Sequence, residues 1–274
     1  MGTKKKRKIA VLGCGWLGLP LAKKLHSIGH TIKGSTTTKE KLLRLESNGI
    51  DPYLIHCAEE NCNGIGPFLN EIECLVLALP PGLRRNPNRR FDLVIEHLAD
   101  KIQQTTIQQL IFISSTSVYG NVVGDIDETT RPTPISISGK QLLKCEEILL
   151  NLSSVKTTVL RFGGLVGSDR HPIHALAKND FIENPEGKIN LIHLEDCIEC
   201  IVSVVEKEND GGVFNAVCPY HPSRKTYYAT IAKEAGIELP PFLQSTTQNR
   251  RIISEKIQKV FDIKFNVENL LTLN

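Results

Sequence analysis

A β-like run that enters a glycine turn and leaves as a helix constrains this chain more than any other feature: Lys8-Ile9-Ala10-Val11-Leu12, then Gly13-Cys14-Gly15-Trp16-Leu17-Gly18, then Leu19-Pro20-Leu21-Ala22-Lys23-Lys24-Leu25. A GxGxxG string alone is a weak signal. Here it opens a helix that should end near Gly29, before a second β-like run, His30 to Gly34, which is the setting a dinucleotide-binding turn requires. Each glycine has its own reason. Gly13 permits the tight turn, Gly15 lacks a Cβ so that a pyrophosphate can approach the backbone, and Gly18 lets helix and strand pack closely. The N–H groups of Trp16, Leu17 and Gly18 would then face the anion at the helix start.

Further short apolar runs follow at Pro52–His56, Cys74–Leu79 and Gln109–Ile113, mostly separated by helical patterns. Continuous apolar strands alternating with amphipathic helices imply an α/β fold, a Rossmann-type doubly wound parallel sheet covered on both faces. The expected organisation is a basic stub at 1–7, a dinucleotide-binding domain at 8–165 and a small C-terminal substrate-side region at 166–274, interleaved with the sheet. Ligands of such folds bind beyond the carboxyl ends of the strands. Leu79, Pro80 and Ser114 therefore join the glycine turn as expected cofactor-edge residues.

Composition excludes several classes of function. No apolar stretch of about 18 residues lacks a charge, and the N-terminus lacks the pattern of a secretory signal, so the protein is expected in the cytoplasm with no membrane span. Net charge is +3, yet Lys4, Lys5, Lys6, Arg7 and Lys8 alone supply five positive charges. A nucleic-acid partner is not expected, because nothing basic and aromatic follows that run. Of the 8 cysteines, several sit inside apolar runs and read as reduced packing residues. Cys197 and Cys200 have CxxC spacing on a predicted helix, with no second pair at zinc-site spacing, so no metal is expected.

The end of the second strand distinguishes NAD from NADP, because an acidic residue there holds the ribose 2′-OH and repels a 2′-phosphate. This chain has Ser35, Thr36, Thr37, Thr38 and Lys39 instead. Hydroxyls and a cation favour NADP over NAD, with Thr36, Thr37 and Lys39 as the contacts; the alternative is that Thr38 merely caps the next helix and Lys39 is solvated. After the fourth strand, Arg84, Arg85, Arg89 and Arg90 fall within seven residues and either grip an anionic substrate or form a solvated loop.

After the fifth strand comes Ser114-Ser115-Thr116-Ser117-Val118-Tyr119-Gly120, and with it the chain resembles the extended short-chain dehydrogenase/reductases, the nucleotide-sugar epimerase and dehydratase group. Asp127-Glu128-Thr129, Leu160 to Gly167 and Asn190 to Asp196 match further family blocks in order, over roughly residues 8 to 265. The resemblance implies proton and hydride chemistry on a substrate alcohol. A Ser or Thr hydroxyl and a Tyr polarise or deprotonate it, and a Lys four residues after the Tyr lowers the pKa of the phenol. Ser115 would be the hydroxyl, with Thr116 the near alternative. Aligning on Gly139 and Glu146 puts Ser138 at the tyrosine and Leu142 at the lysine, while a shifted alignment puts Ser136 and Lys140 there. Neither supplies a phenol, so the chain is most similar to an atypical, epimerase-like branch of the family that lacks the Tyr-x-x-x-Lys pair.

A replacement acid is sought among Tyr119, His171, His174, His193 and Tyr220, of which His171, before Pro172 on a predicted loop, has the least obvious packing role. The runs Gly167 to Pro172, Asn184 to Gly187 and Pro219 to Pro222 carry the features of a small lid, and Arg161, Arg224, Lys225, Arg250 and Arg251 could meet a substrate phosphate or carboxylate. The expectation is an NADP(H)-dependent oxidoreductase or epimerase-like enzyme acting on an anionic small molecule such as a nucleotide sugar. The alternative is an NADP-binding sensor without catalysis. By resemblance, a homodimer would form through the helices after the fourth and fifth strands.

Overall fold

The computed structural model describes residues 6–167, 169–207, 209–243 and 249–272. In chain order the first half contains β1 (Lys8–Leu12), α1 (Gly18–Ser27), β2 (Thr31–Thr36), α2 (Leu42–Glu46), β3 (Asp51–Leu54), β4 (His56–Cys57), β5 (Cys62–Asn63), α3 (Ile65–Leu69), β6 (Cys74–Leu77), α4 (Phe91–Gln103) and β7 (Gln109–Ser115). A 3-10 turn at Thr116–Tyr119 leads to β8 (Gly124–Ile126), α5 (Ile137–Leu150), β9 (Lys156–Phe162), β10 (Gly164–Val166) and α6 (Ile173–Leu176). Then follow β11 (Ile182–Glu183), β12 (Leu191–His193), α7 (Leu194–Glu206), β13 (Gly212–Ala216), α8 (Arg224–Ala235), β14 (Phe242–Leu243), β15 (Arg250–Ile252) and α9 (Glu255–Phe261).

Seven parallel strands form the central sheet in the order β13-β9-β7-β6-β1-β2-β3. The expected doubly wound α/β sheet is what forms. The period-two alternation of each strand divides the core in two. Ala10, Leu12, Leu75, Leu77, Leu110 and Phe112 face α3, α4 and α5, whereas Ile9, Val11, Cys74, Val76 and Ile111 face α1, α7 and α9. A third cluster, including Val166, Leu191, Tyr227 and Tyr228, fills the smaller C-terminal layer.

The order reverses at β1, whose neighbours β2 and β6 carry the chain to opposite sides, so a crevice opens beyond the carboxyl ends of β1 and β6. Strand β6 stops at Leu77, short of the expected Leu79: the Ala78 amide makes the last bond to β1, to the Leu12 carbonyl at 2.9 Å, and Pro80 and Pro81 follow with no N–H to donate. Strand β7 runs further than expected, pairing Ser115 with Phe162 of β9.

Two expectations are corrected. Cys57 and Cys62 are joined in a disulfide rather than reduced, because the β4–β5 hairpin places them directly opposite each other, with Cα atoms 4.0 Å apart. Cys14, Cys74, Cys145, Cys197, Cys200 and Cys218 are free and buried, as read from the sequence. Arg7 is not part of a solvated stub: its guanidinium donates to Gln109 Oε1 and to the Val205 carbonyl, each at 2.7 Å. Lys4 and Lys5 of the basic run and Ser168 of the lid run lie outside the described residues. Among the described residues no helix is long and apolar enough to cross a membrane, and no cluster of His, Cys, Asp and Glu could hold a metal ion.

Candidate cofactor and active site

The glycine turn after β1 divides its work as the sequence suggests. Gly13 adopts φ +105°, and a Cβ there would meet the Ala78 carbonyl oxygen at 2.8 Å. A Cβ on Gly18 would stand 2.1 Å from the Gly13 carbonyl oxygen, so this glycine lets α1 start against the turn. A Cβ on Gly15 would meet nothing within 4 Å. Its missing side chain faces open space, as the approach of an outside group requires. Ser35 holds the turn from β2, its hydroxyl accepting from Gly13 N and its carbonyl from Cys14 N, both at 2.8 Å. No described residue accepts from the backbone N–H groups of Trp16, Leu17 and Gly18 at the start of α1.

Beside the turn lies a cavity of about 460 Å³ lined by Gly15, Trp16, Leu19, Pro20, Thr36, Lys41, Arg44 and Asp169, among others. Thr36 reaches it from the end of β2, whereas Thr37 and Lys39 are exposed and do not line it. Lys41 and Arg44, three residues apart and therefore on one side of a helical turn, line it where Lys39 does not. Thr38 makes no side-chain cap for the 3-10 turn at Lys39–Lys41. A larger cavity, about 820 Å³, is lined by Arg7, Gln109, Lys156 and Gly212, at the amino ends of the strands. That is the opposite end of the sheet from the place where parallel α/β sheets bind ligands.

On the other side of the crevice, Leu79 packs partly against the core and Pro80 is exposed. Ser114 is buried, and its hydroxyl donates to Glu146 Oε1 at 2.5 Å, so only its backbone remains for a ligand. Ser115 accepts from Ser117 N at 3.1 Å through its hydroxyl oxygen, which leaves the O–H without an acceptor among the described residues. The adjacent Thr116 is buried.

Helix α5 approaches this point through Gly139, where a Cβ would lie 2.8 Å from the Ser117 carbonyl oxygen. Ser136 is its N-cap, accepting from Gly139 N at 3.0 Å. Ser138 is half-buried, Leu142 packs into the core and Lys140 is exposed. The capping role of Ser136 disfavours the alignment that gives it the place of the phenol. Tyr119 is fully buried: its oxygen accepts from Arg161 Nη1 at 2.9 Å, its O–H faces Asn215 Oδ1 at 2.9 Å and the Asp127 carbonyl at 3.1 Å, and burial pushes its pKa up. It is a packing residue with no open face for a substrate.

His171 is likewise engaged. Its Nδ1 accepts from Ile173 N at 3.1 Å, which leaves the proton on Nε2, directed to the Tyr227 hydroxyl at 2.8 Å, with the two rings stacked. The expectation of an acid here meets a ring whose two nitrogens are both committed, and burial depresses its pKa from 6.5 to about 4. The unfolded chain takes up this proton near pH 6.5 and the folded chain only near 4, so the stability tied to the neutral ring is present above 6.5 and lost as pH falls toward 4. A thermal melt series should therefore show a steeper fall from pH 6.5 to 4 in the wild type than in His171→Phe. Identical slopes would mean that His171 is solvated.

The cations also sort themselves. Arg161 is buried, its guanidinium paired with Glu146, Nη2 to Oε2 at 2.6 Å, so it does not meet a substrate as expected. Arg89 donates to the Cys57 carbonyl at 3.1 Å, and Arg90 pairs with Asp92 through two bonds of 2.9 and 2.6 Å. Arg250 donates to the Gly120 carbonyl and Arg251 pairs with Asp125. Arg84 and Arg85 are exposed and form no ion pair among the described residues. They are the part of the arginine loop left to face an anion.

Comparison with known proteins supplies the family. No protein-family model matches the chain. Protein YeeZ of Escherichia coli K12 is 36% identical over 242 residues, 87% of this chain and 88% of YeeZ. The uncharacterized UDP-glucose epimerase YtcB of Bacillus subtilis is 25% identical over 151 residues, 48% of each chain. Among solved structures, UDP-glucuronic acid 4-epimerase from Bacillus cereus, in complex with UDP-glucuronic acid and NAD, superposes with a TM-score of 0.79 at 20% identity, covering 95% of this chain and 94% of the epimerase. The YeeZ match along nearly the whole chain and the fold shared with that epimerase agree: the chain belongs to the family of YeeZ, on the fold of the epimerase-type short-chain dehydrogenase/reductases.

Proposed function

We propose that this protein is an NADP(H)-binding, epimerase-like oxidoreductase acting on an anionic small molecule, with a nucleotide sugar as the substrate class. The observation that carries the reading is the open face of Gly15 beside unpartnered N–H groups at the start of α1. Those groups suit a diphosphate. Thr36, Lys41 and Arg44 suit a 2′-phosphate at the other end of the cavity, where no acidic side chain follows β2 closely enough to claim a ribose hydroxyl. Bound there, the nicotinamide group supplies reversible hydride acceptance. Leu79 and Pro80 offer an apolar wall, Ser115 an O–H to donate to a substrate oxygen with Thr116 beside it, and Arg84 and Arg85 cations for the anionic part of the substrate. The Bacillus cereus epimerase, of the same fold, is in complex with UDP-glucuronic acid and NAD, which supports a nicotinamide dinucleotide and a nucleotide sugar, while the preference for NADP rests on Thr36, Lys41 and Arg44 alone.

Proton transfer in this reading is non-standard, since α5 contains no tyrosine. One observation favours a second reading, an NADP-binding sensor without catalysis: Leu142 packs into the core where the resemblance calls for a lysine. Turnover of UDP-sugars by the purified protein, followed by NADPH absorbance and by product analysis, separates the two.

The cofactor assignment is tested by titrating Trp16 fluorescence with NADPH and NADH. Hydrogen bonds to charged groups are worth about 1.5–3 kcal/mol each, so Lys41→Ala with Arg44→Ala should weaken NADPH binding about 100-fold and leave NADH within about threefold. Equal losses for both cofactors would overturn the 2′-phosphate assignment.

A further inference from the structure

One side chain joins the two rims of the crevice. Trp16, next in the chain to the open Gly15, reaches from the glycine turn to the loop after β10, where its Nε1–H donates to Asp169 Oδ1 at 2.7 Å. On the face of the same indole, the Arg170 guanidinium carbon lies 5.1 Å from the ring centroid. The seat is shaped for the ring: a Cβ on Gly167 would stand 2.8 Å from Trp16 Cζ2. Reciprocal backbone bonds hold the loop, Gly167 N to the Arg170 carbonyl at 2.9 Å and Arg170 N to the Gly167 carbonyl at 3.1 Å.

The two charges have different freedom. An indole has one polar hydrogen, and Asp169 takes it, so this carboxylate fixes where the ring lies. Arg170 is exposed and only stacked; its guanidinium forms no hydrogen bond or ion pair among the described residues. A cation resting on an aromatic face in contact with water is weakly held and has its planar set of N–H donors available. A diphosphate lying against the N–H groups of Trp16 to Gly18 would have this indole at its side and this cation within the swing of one side chain. Lys41, Arg44 and Asp169 line the same cavity as Trp16, and Arg170 is the cation that rests on the face of that indole.

Resting on the dinucleotide reading above, we propose that Trp16, Asp169 and Arg170 form a clasp that shuts over the bound diphosphate, Asp169 catching the indole across the crevice and Arg170 supplying the counter-charge. The clasp ties the loop after β10 to the glycine turn.

Calorimetric titration with two probes tests it, ADP-ribose, which carries the diphosphate, and adenosine 2′-monophosphate, which does not. Arg170→Met should weaken ADP-ribose roughly tenfold or more, as loss of a charge-assisted bidentate contact does, and leave adenosine 2′-monophosphate unchanged. Arg170→Lys should recover part of the loss, and Asp169→Ala, which removes the acceptor of the indole N–H, should weaken ADP-ribose more than Asp169→Asn, which keeps one. If the wild type binds ADP-ribose and Arg170→Met binds it equally well, the clasp is wrong. Equal weakening of both probes would show a general disturbance and would also overturn it. Failure of the wild type to bind either probe would overturn the dinucleotide reading itself, a result distinct from both.

Discussion

Gly15→Val is expected to abolish dinucleotide binding while leaving the fold standing. The backbone at Gly15 lies outside the left-handed region, and a Cβ would meet no atom within 4 Å, so valine is tolerated by the protein alone. The cost falls on the ligand, because the added methyl groups occupy the approach that brings a diphosphate onto the N–H groups of α1. A loss of at least about 100-fold, roughly 2.7 kcal/mol, is expected for NADPH by calorimetry. The melting temperature should stay within a few degrees of the wild type. Gly18→Val is the control with the opposite signature: its Cβ would stand 2.1 Å from the Gly13 carbonyl oxygen, so it should destabilise the protein before it affects binding. Tight NADPH binding by Gly15→Val would remove the glycine turn as the site.

The second large effect is on stability. Arg161 and Glu146 form a buried pair, their side chains 5% and 1% exposed. Around them Ser114 donates to the carboxylate and Tyr119 accepts from the guanidinium, which also lies 4.9 Å from the phenol ring centroid. Arg161→Met leaves Glu146 buried with one neutral donor, and breaking a buried pair in this way costs about 3–5 kcal/mol. Against a total stability of about 5–15 kcal/mol, that is a large fraction. Combining Arg161→Met with Glu146→Gln removes the stranded charge and should recover part of the loss. Urea unfolding reads both. A single-variant loss under about 1 kcal/mol would place the pair in the class of solvated surface ion pairs.

These two sites also show what a single sequence reveals. The steric roles of Gly13 and Gly18 were legible because each answers a local requirement of close backbone approach that a larger residue cannot meet. The alternation of Ile9, Ala10, Val11 and Leu12 between two faces was legible as well, since it follows from the strand period. Arg161 was misread as a substrate cation, because its partner Glu146 is on α5 and Ser114 on β7, and no periodicity links a helix to the strands beneath it. That Lys41 and Arg44 line the cavity was not legible, because the segment that carries them is a 3-10 turn running into a five-residue helix, too short to present an amphipathic pattern. The Cys57–Cys62 link was hidden by strands of two residues each, which have no signature of their own. Trp16 was foreseen as part of the turn, but its hold on Asp169, 153 positions away, is a product of the fold.

The C-terminal stretch is woven into the rest of the fold. Strand β13 is the outermost strand of the central sheet, beside β9, while β15 pairs with β8 from the first half of the chain. Asn190 receives Ile252 N at 2.8 Å, and the Asp196 carboxylate receives the amides of Asn266 and Val267 at 2.6 and 3.2 Å. The last residues are thus threaded back through elements on both sides of the middle of the chain. Such a chain has no seam. Recombination that exchanged the residues after β10 for another segment would tear an edge strand from the sheet.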